Sequence, residues 1–400
     1  VLEKAIKQVS EIRGSLPFPD DFFQDNSFEF LVEIVEEQLS SIALDRSPGY
    51  PLNLQFSTNK QALENMREEI VLCAVARLFL WTNEVSSRYA MTIRPLERVL
   101  LGFVDPANVF VKEDPHPLRK VVKQAYRCIS AVSLIDNFVE SSLFAKSSKL
   151  IREVGKSSGS AVGIGFTDEM NEDNFEFFKT MKERFKQIIS LDGSGFDAWH
   201  TPQILQATLS VDVIVHSPNP LWIRAASLWV VISSESVVVI AGILYIRVNP
   251  GTINTGSKDT SRRNTLLASL YACVAGIIAN NPIDFVYANG DDALIAGGPN
   301  VLDLTRAYAS FGATVRDVVE CHDRVEFCSH EYQKRKGRVY AALSSWPKAL
   351  YSTFVKDTNI SDVLQIAYEL RDNDENNVHD KFMSYAAITF PQTFPETKNE

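Results

Sequence analysis

The stretch FVYANGDDALIAGG, residues 285–298, constrains this chain more than any other. Two apolar runs, each long enough for one buried strand, flank an Asn-Gly pair, which is a strong turn signal. Two adjacent carboxylates, Asp291 and Asp292, therefore sit at the tip of a hairpin whose flanks belong in a core. Such carboxylates repel each other unless something positive lies beside them. The tip is either a solvated turn or the holder of a metal ion, and the rest of the chain has to separate the two readings.

Length and composition leave both open. With 400 residues, 45% of them hydrophobic and 22% charged, the chain has the make-up of a globular protein with a large core and more than one subdomain. A net charge of −10 argues against a nucleic-acid partner only on average, because phosphate affinity follows local basic surface. Positive charge is clustered: Lys112, Arg119, Lys120, Lys123 and Arg127 share one short segment. Lys334, Arg335, Lys336 and Arg338 form a second cluster, which reads as a solvated face. The five cysteines include no CxxC pair, which fits a reducing compartment. Cys321, His322, Cys328 and His330 lie close together, but their spacing matches no standard zinc pattern. No signal peptide is visible, and a start at Val1 rather than Met reads as a processed product or a fragment. SVVVIAGILYI, residues 236–246, is too short to cross a bilayer and reads as a buried strand.

Along the chain, residues 1–100 carry apolar residues at helical spacing, interrupted by the Pro/Gly break DRSPGYPLNL. Residues 105–145 begin extended and turn helical at SLIDNFVESSLFAK; GKSSGSAVGIGF, 155–166, reads as a flexible connector. From residue 174 strands and helices alternate. LWVVISSESVVVIAGILYIRV reads as a hairpin, DTSRRNTLLASLYACVAGIIA as a long helix and RVEFCSHEYQKRKGRVYAAL as another hairpin. The last sixty residues read as mostly helical with a polar tail. This pattern predicts an α+β fold, an antiparallel sheet with helices against one face. GKSS at 155–158 is not a P-loop: the position five before Gly155 is Leu150, and no strand leads into it.

Three segments combine into one chemistry. In SLDGSGFDAWH, Asp192 ends an apolar strand and Asp197 follows after four residues. A carboxylate at a strand end is rigidly held, as a metal ligand must be. In TGSKDTSRRN, Gly256 lets the loop approach a ligand closely, and Thr260 and Asn264 share a face at the start of a helix. The third segment is the Gly290-Asp291-Asp292 turn. Asp192 and Asp291, from separate strands, suit a pair of divalent cations about 4 Å apart that clamp the attacking and leaving oxygens of a phosphoryl displacement. Magnesium fits such a site, with Asp292 beside it as ligand or outer support. Taken singly, each element is more often structural: Asp192 as a helix cap, Asn264 as a polar residue in a helix.

These segments resemble motifs A, B and C of viral RNA-dependent RNA polymerases: D-x4-D, [ST]-G-x3-T-x3-N and G-D-D, all matched without a gap. SPGYP, 47–51, resembles motif G, which touches template; VKEDPHPLRK with YRCIS resembles motif F, which sets basic residues over the incoming triphosphate. EFCSH, 326–330, followed by SSWPKALYSTF, resembles motif E, which supports the primer end. Motifs F and E read most like the sobemovirus, polerovirus and barnavirus group, and the resemblance covers roughly residues 45–355.

The resemblance implies a right hand of fingers, palm and thumb. Residues 1–186 would form an N-terminal segment and fingers, 187–210 palm, 211–254 a fingers insertion, 255–329 palm, and 330–400 the rest of motif E and a small thumb. It implies template-directed RNA synthesis from ribonucleoside triphosphates, replicating a positive-strand genome. Asp192, Asp291 and Asp292 would be the catalytic metal-binding residues, with Mg²⁺ or Mn²⁺ as cofactor. Lys112 and Arg127 would hold the triphosphate; Asp197, Thr260 and Asn264 would surround the ribose 2′-OH. Ser47, Gly49, Arg119, Lys120 and Gly256 would contact template RNA. Motif D often carries a lysine; GATVRDVVECHDR has none, and Arg316, His322 or Arg324 stand in its neighbourhood with the role unassigned. Implied partners are RNA template, nascent RNA, nucleotides and, from the small thumb, a protein primer. The implied setting is host cytoplasm, in replication complexes held to membranes by other proteins. Two other readings remain: a reverse transcriptase, against which Asp197 with Asn264 argues, and a silent polymerase-like RNA-binding protein, against which the complete metal set argues.

Overall fold

A computed structural model describes residues 1–112, 118–355, 359–373 and 377–389. In chain order the strands are β1 (Ala107–Val111), β2 (Cys128–Ala131), β3 (Ile188–Gly193), β4 (Val237–Ile240), β5 (Ile243–Ile246), β6 (Ile283–Asn289), β7 (Asp292–Gly297), β8 (Val315–Glu320), β9 (Val325–Phe327), β10 (His330–Arg335) and β11 (Arg338–Leu343). They form three sheets, ordered β2-β1-β4-β5, β6-β7-β3-β8 and β11-β10-β9.

The described chain makes two compact units. One comprises Val1–Lys112, Arg127–Val162 and Leu191–Val318; the other Glu113–Tyr126, Gly163–Ser190 and Val319–Glu400. In the first, helix Thr260–Ile278 packs on β6 and β7, and helix Leu2–Arg13 packs on it and on helix Pro202–His216. β6 and β7 are therefore covered, and Val286, Ala288, Leu294, Ile295 and Ala296 are fully buried. This burial explains why both strands read as near-continuous apolar runs rather than strict alternation. In the second unit, helix Asp168–Arg184 lies against β10 and β11, where Phe178 meets Tyr332 and Phe327 edge-on. Helices Trp346–Val355, Ile360–Leu370 and Val378–Thr389 close a small core around Val363, Leu370 and Phe382.

Several sequence expectations need correction. LWVVISS belongs to helix Pro220–Ser234, and the hairpin is only β4 with β5. Apolar residues on every face of a buried helix give the same run as a buried strand, and Trp222, Ala225, Leu228 and Trp229 are all buried. SVVVIAGILYI is thus two strands. Val237–Val239 are buried, whereas Ile243, Leu244, Tyr245 and Ile246 are all exposed. The 324–343 segment is not one hairpin but a three-stranded ladder of β9, β10 and β11. The 155–166 connector is partly built into the core: Ala161 N–H donates to Ala288 O at 2.8 Å and Ala288 N–H to Gly159 O at 3.1 Å. Finally, no three His, Cys, Asp or Glu side chains among the described residues are grouped to hold a metal. His330, from the considered zinc cluster, instead stacks on Phe166 at 4.0 Å and bonds Cys328 O at 2.9 Å.

Candidate active site

The hairpin tip follows from its register. Asn289 pairs with Asp292, so Gly290 and Asp291 form a two-residue loop, and Gly290 has a φ of +65°. Glycine at the first loop position with positive φ is the demand of a type II′ turn. Asp291 thus occupies the turn itself and Asp292 opens β7. Asp192 is the penultimate residue of β3, the strand beside β7 in the sheet. The loop after β3 is tied down by Ser194 N–H donating to Thr314 O at 2.9 Å. That bond sets the start of β8 close by, and the Arg316 guanidinium donates to the Asp192 carboxylate.

Helix Thr260–Ile278 links the turn to the other predicted residues. Thr265 Oγ1 accepts the Gly290 N–H at 2.9 Å, pinning the turn from below. One residue earlier, about 100° around the helix, the Asn264 side-chain amide bonds the Asp197 carboxylate. Asn264 Oδ1 is buried and has no hydrogen-bond partner among the described residues. Thr260 Oγ1 donates to Asn254 O at 2.9 Å, so it braces the preceding loop. The helix start is anchored by buried ion pairs: Arg262 bonds Asp212 at 2.7 Å and Asp259 at 2.6 Å, and Arg263 bonds Asp259 at 3.1 Å. Buried charges persist only when paired in this way.

The electrostatics mark the site. Asp192, Asp197 and Asp291 all titrate above the usual carboxylate range. For Asp192 the main cause is burial; Asp291 and Asp317 push further up, while Arg316 pulls down. For Asp197 burial is again first, opposed by Arg127, Asn264 and Arg247. For Asp291, exposed at the tip but crowded by protein, desolvation leads and Asp197 adds to it, against its own N–H, Arg127 and Arg316. Three carboxylates and three arginines therefore share one field. Arg127 follows the hairpin loop between β1 and β2, and its carbonyl accepts from Lys112 N–H at 2.8 Å. Lys112 and Arg127 are thus backbone neighbours.

The glycines have backbone reasons. A Cβ on Gly256 would lie 2.8 Å from Ser130 O, and Gly256 N–H donates to that oxygen at 2.9 Å. Gly49, with φ +66°, would clash with Val132 O at 2.6 Å, and its N–H reaches Ser47 Oγ at 3.3 Å. Both loops therefore lie against the strand that leaves Arg127. Lys120 is exposed on the short helix Leu118–Val122 in the second unit. Arg119 shares that helix, but its side chain, like residues 113–117 of the motif F segment, lies outside what the structure describes.

Two residues escaped the sequence reading. Thr265 looks like any polar residue in a helix. Arg247 carried a usable signal, a lone arginine closing the apolar run GILYI, which must find partners. It lines a cleft of about 450 Å³ together with Val109, Ser130, Asp197, Ile246 and Thr255.

The α+β fold that carries this carboxylate hairpin, carboxylate strand end and bracing helix is that of a right-hand polymerase. Residues 198–352 match the family model for viral RNA-directed RNA polymerase, and this part of the chain belongs to that family. The match takes in Gly256, Asn264, Asp291 and Asp292 and begins just after Asp192 and Asp197. The chain is 30% identical over 335 residues to the replicase polyprotein P2AB of Southern cowpea mosaic virus, covering 81% of itself and 33% of that protein. It is 28% identical to the RNA-directed RNA polymerase of Mushroom bacilliform virus, covering 76% of itself and 73% of that protein. The Sicinivirus 3Dpol RNA-dependent RNA polymerase superposes with a TM-score of 0.66 at 15% identity, over 96% of this chain and 85% of that one. The chain spans about a third of the length of the replicase polyproteins it matches first.

Proposed function

We propose that this chain synthesises RNA on an RNA template from ribonucleoside triphosphates. The observation that carries the reading is the placing of Asp291 at the hairpin tip near enough to Asp192 to raise that residue's affinity for protons, with a guanidinium already seated on Asp192. The site attracts cations, and the chain's own Arg316 takes that place. A divalent ion fits the donor set: Mg²⁺ takes one or two carboxylates and fills its shell with water and phosphate oxygens. Asp192 and Asp291 would hold it, with Asp292 alongside. Bound there, the ion pair would supply charge to the attacking hydroxyl and the leaving pyrophosphate.

The remaining roles belong to the chain's own groups. Arg127, whose field reaches Asp197 and Asp291, and its neighbour Lys112 would neutralise the triphosphate and aim its α-phosphate. Asn264 Oδ1, buried and unmatched, is an acceptor awaiting a donor, and Asp197 is a second acceptor beside it. A ribose 2′-OH has one proton to donate, which Asn264 Oδ1 or Asp197 could accept; a deoxyribose has none. The fingers, palm and thumb division given above belongs to the same proposal, as does replication of a positive-strand genome. Ser47, Gly49 and Gly256 would flank the template.

The test is nucleotide incorporation on a poly-ribonucleotide template with Mg²⁺, comparing the chain with Asp291→Ala. Loss of at least about 10³-fold with unchanged circular dichroism supports the reading. Equal incorporation by both removes Asp291 from the chemistry. Deoxyribonucleotides used as readily as ribonucleotides would favour reverse transcription.

A further inference from the structure

Arg247 is the charged residue of the site that no motif accounts for. It follows β5, its guanidinium is half-buried, and its three hydrogen bonds reach two different segments. One nitrogen donates to Thr252 O at 3.0 Å; the other donates to Asn254 Oδ1 at 3.0 Å and Ser130 Oγ at 3.2 Å. Thr252 and Asn254 belong to the loop that leads into helix Thr260–Ile278. Ser130 belongs to β2, the strand leaving Arg127.

The same seam carries three further bonds. Ser130 N–H donates to Thr255 Oγ1 at 2.9 Å, Gly256 N–H to Ser130 O at 2.9 Å, and Thr260 Oγ1 to Asn254 O at 2.9 Å. The guanidinium also lines the 450 Å³ cleft with Asp197 and Ser130, and its charge is felt by the Asp197 carboxylate. A planar guanidinium holds its donors in a rigid fork, so it fixes the relative position of every acceptor it touches. Lysine offers a point charge and no such fork.

We propose that Arg247 is a positioning residue for ribose selection: it clamps the loop 252–256 to the β2 strand and holds its charge toward Asp197, so that the 2′-OH acceptors are set relative to the triphosphate site. This inference rests on the polymerase reading above and adds to it a residue outside motifs A to G. Lys112 and Arg127 are held to each other by their own backbone bond, so loss of the clamp would fall mainly on the contacts to the 2′-OH. A deoxynucleotide never makes those contacts, so its use should be little changed.

The experiment is single-nucleotide incorporation by this chain, with CTP and dCTP measured separately for the unaltered protein, Arg247→Met and Arg247→Lys. Arg247→Met should lower kcat/KM for CTP about tenfold, the effect of one impaired hydrogen-bonded contact, and leave dCTP within about twofold. The ribo-to-deoxy ratio therefore falls. Arg247→Lys should fall between, keeping the charge without the fork. A merely structural role would lower both substrates together and leave the ratio unmoved, and that result in either variant overturns the inference while the polymerase reading stands. Loss of all incorporation in both variants also overturns it. An unaltered chain that incorporates neither nucleotide overturns the polymerase reading, and this inference falls with it.

Discussion

At the residue scale, the contact between Arg316 and Asp192 is the most informative. Arg316, one of three residues in the neighbourhood where the polymerase resemblance expects a lysine, is bonded to a carboxylate proposed to hold the metal. Arginine is effectively always protonated and cannot serve as a proton donor at neutral pH. What it can do is compete: a fixed positive charge on Asp192 opposes a second cation there. Arg316→Gln should therefore tighten Mn²⁺ binding, by roughly threefold given that the pair is partly solvent-exposed. Electron paramagnetic resonance of free Mn²⁺ measures this without any turnover. Unchanged or weaker binding would mean that the guanidinium does not compete with the ion. None of this was legible in the sequence. The motif A and C aspartates announce themselves by spacing, but the Arg316 contact joins residues 124 positions apart.

At the scale of elements, loop 155–161 shows how a secondary-structure cue misleads, and loop 252–258 how a segment read as a loop is anchored. Gly and Ser residues read as flexible, yet Gly159 is held against β6 with a φ of +69°, and a Cβ there would lie 2.3 Å from Val286 O. Gly159→Val should destabilise the chain by about 2 kcal/mol or more, combining backbone strain with a buried clash. Thermal unfolding reads it directly, and an unshifted midpoint would return the segment to a loose connector. The second loop is anchored by Glu140, on helix Leu134–Val154. Its carboxylate accepts the Ser257 hydroxyl and, at 2.7 Å, the Lys258 N–H. Burial first and Asp259 second push Glu140 up from 4.5 to about 7, although Arg263 and the two donors pull the other way. The sign follows from which state holds the proton. Between about 4.5 and 7 the folded chain keeps a proton that the unfolded chain has lost, so this group's stabilising contribution declines as pH rises through that window. Glu140→Gln should remove the decline, and relative to the variant the unaltered chain should lose on the order of 2 kcal/mol between pH 5 and 8. Parallel stability curves would refute the assignment. The long helix Thr260–Ile278 and the β6–β7 hairpin were legible because their patterns are local. Helix Pro220–Ser234 and exposed β5 were not, because burial on all faces erases periodicity and a strand's exposure depends on its neighbours.

At the scale of the whole molecule, a net charge of −10 has to be reconciled with the proposed polyanionic template. Net charge acts at long range, and at physiological ionic strength screening limits it to about 8 Å. A phosphate therefore senses only the cations beside it. Part of the acidic total cannot reach RNA at all, since Asp136, Asp212 and Asp259 are buried against Arg77, Arg262 and Arg263. The two basic clusters of the sequence then separate. In the second unit Lys334 pairs with Glu176 at 3.5 Å and Arg338 with Asp372 at 3.0 Å, so that cluster is partly neutralised in place. Arg127 has no ion pair in which it is hydrogen-bonded to a carboxylate among the described contacts, and its field falls on the site aspartates. RNA affinity should accordingly fall steeply with salt despite the acidic total. Arg127→Ala should weaken binding evenly across template sequences and reduce the slope of log K against log [salt] by about one. The double change Lys334→Gln with Arg335→Gln should leave the slope nearly unaltered. Filter binding over a salt series decides between them: a slope that follows Lys334 and Arg335 rather than Arg127 would place the template on the second unit's hairpin.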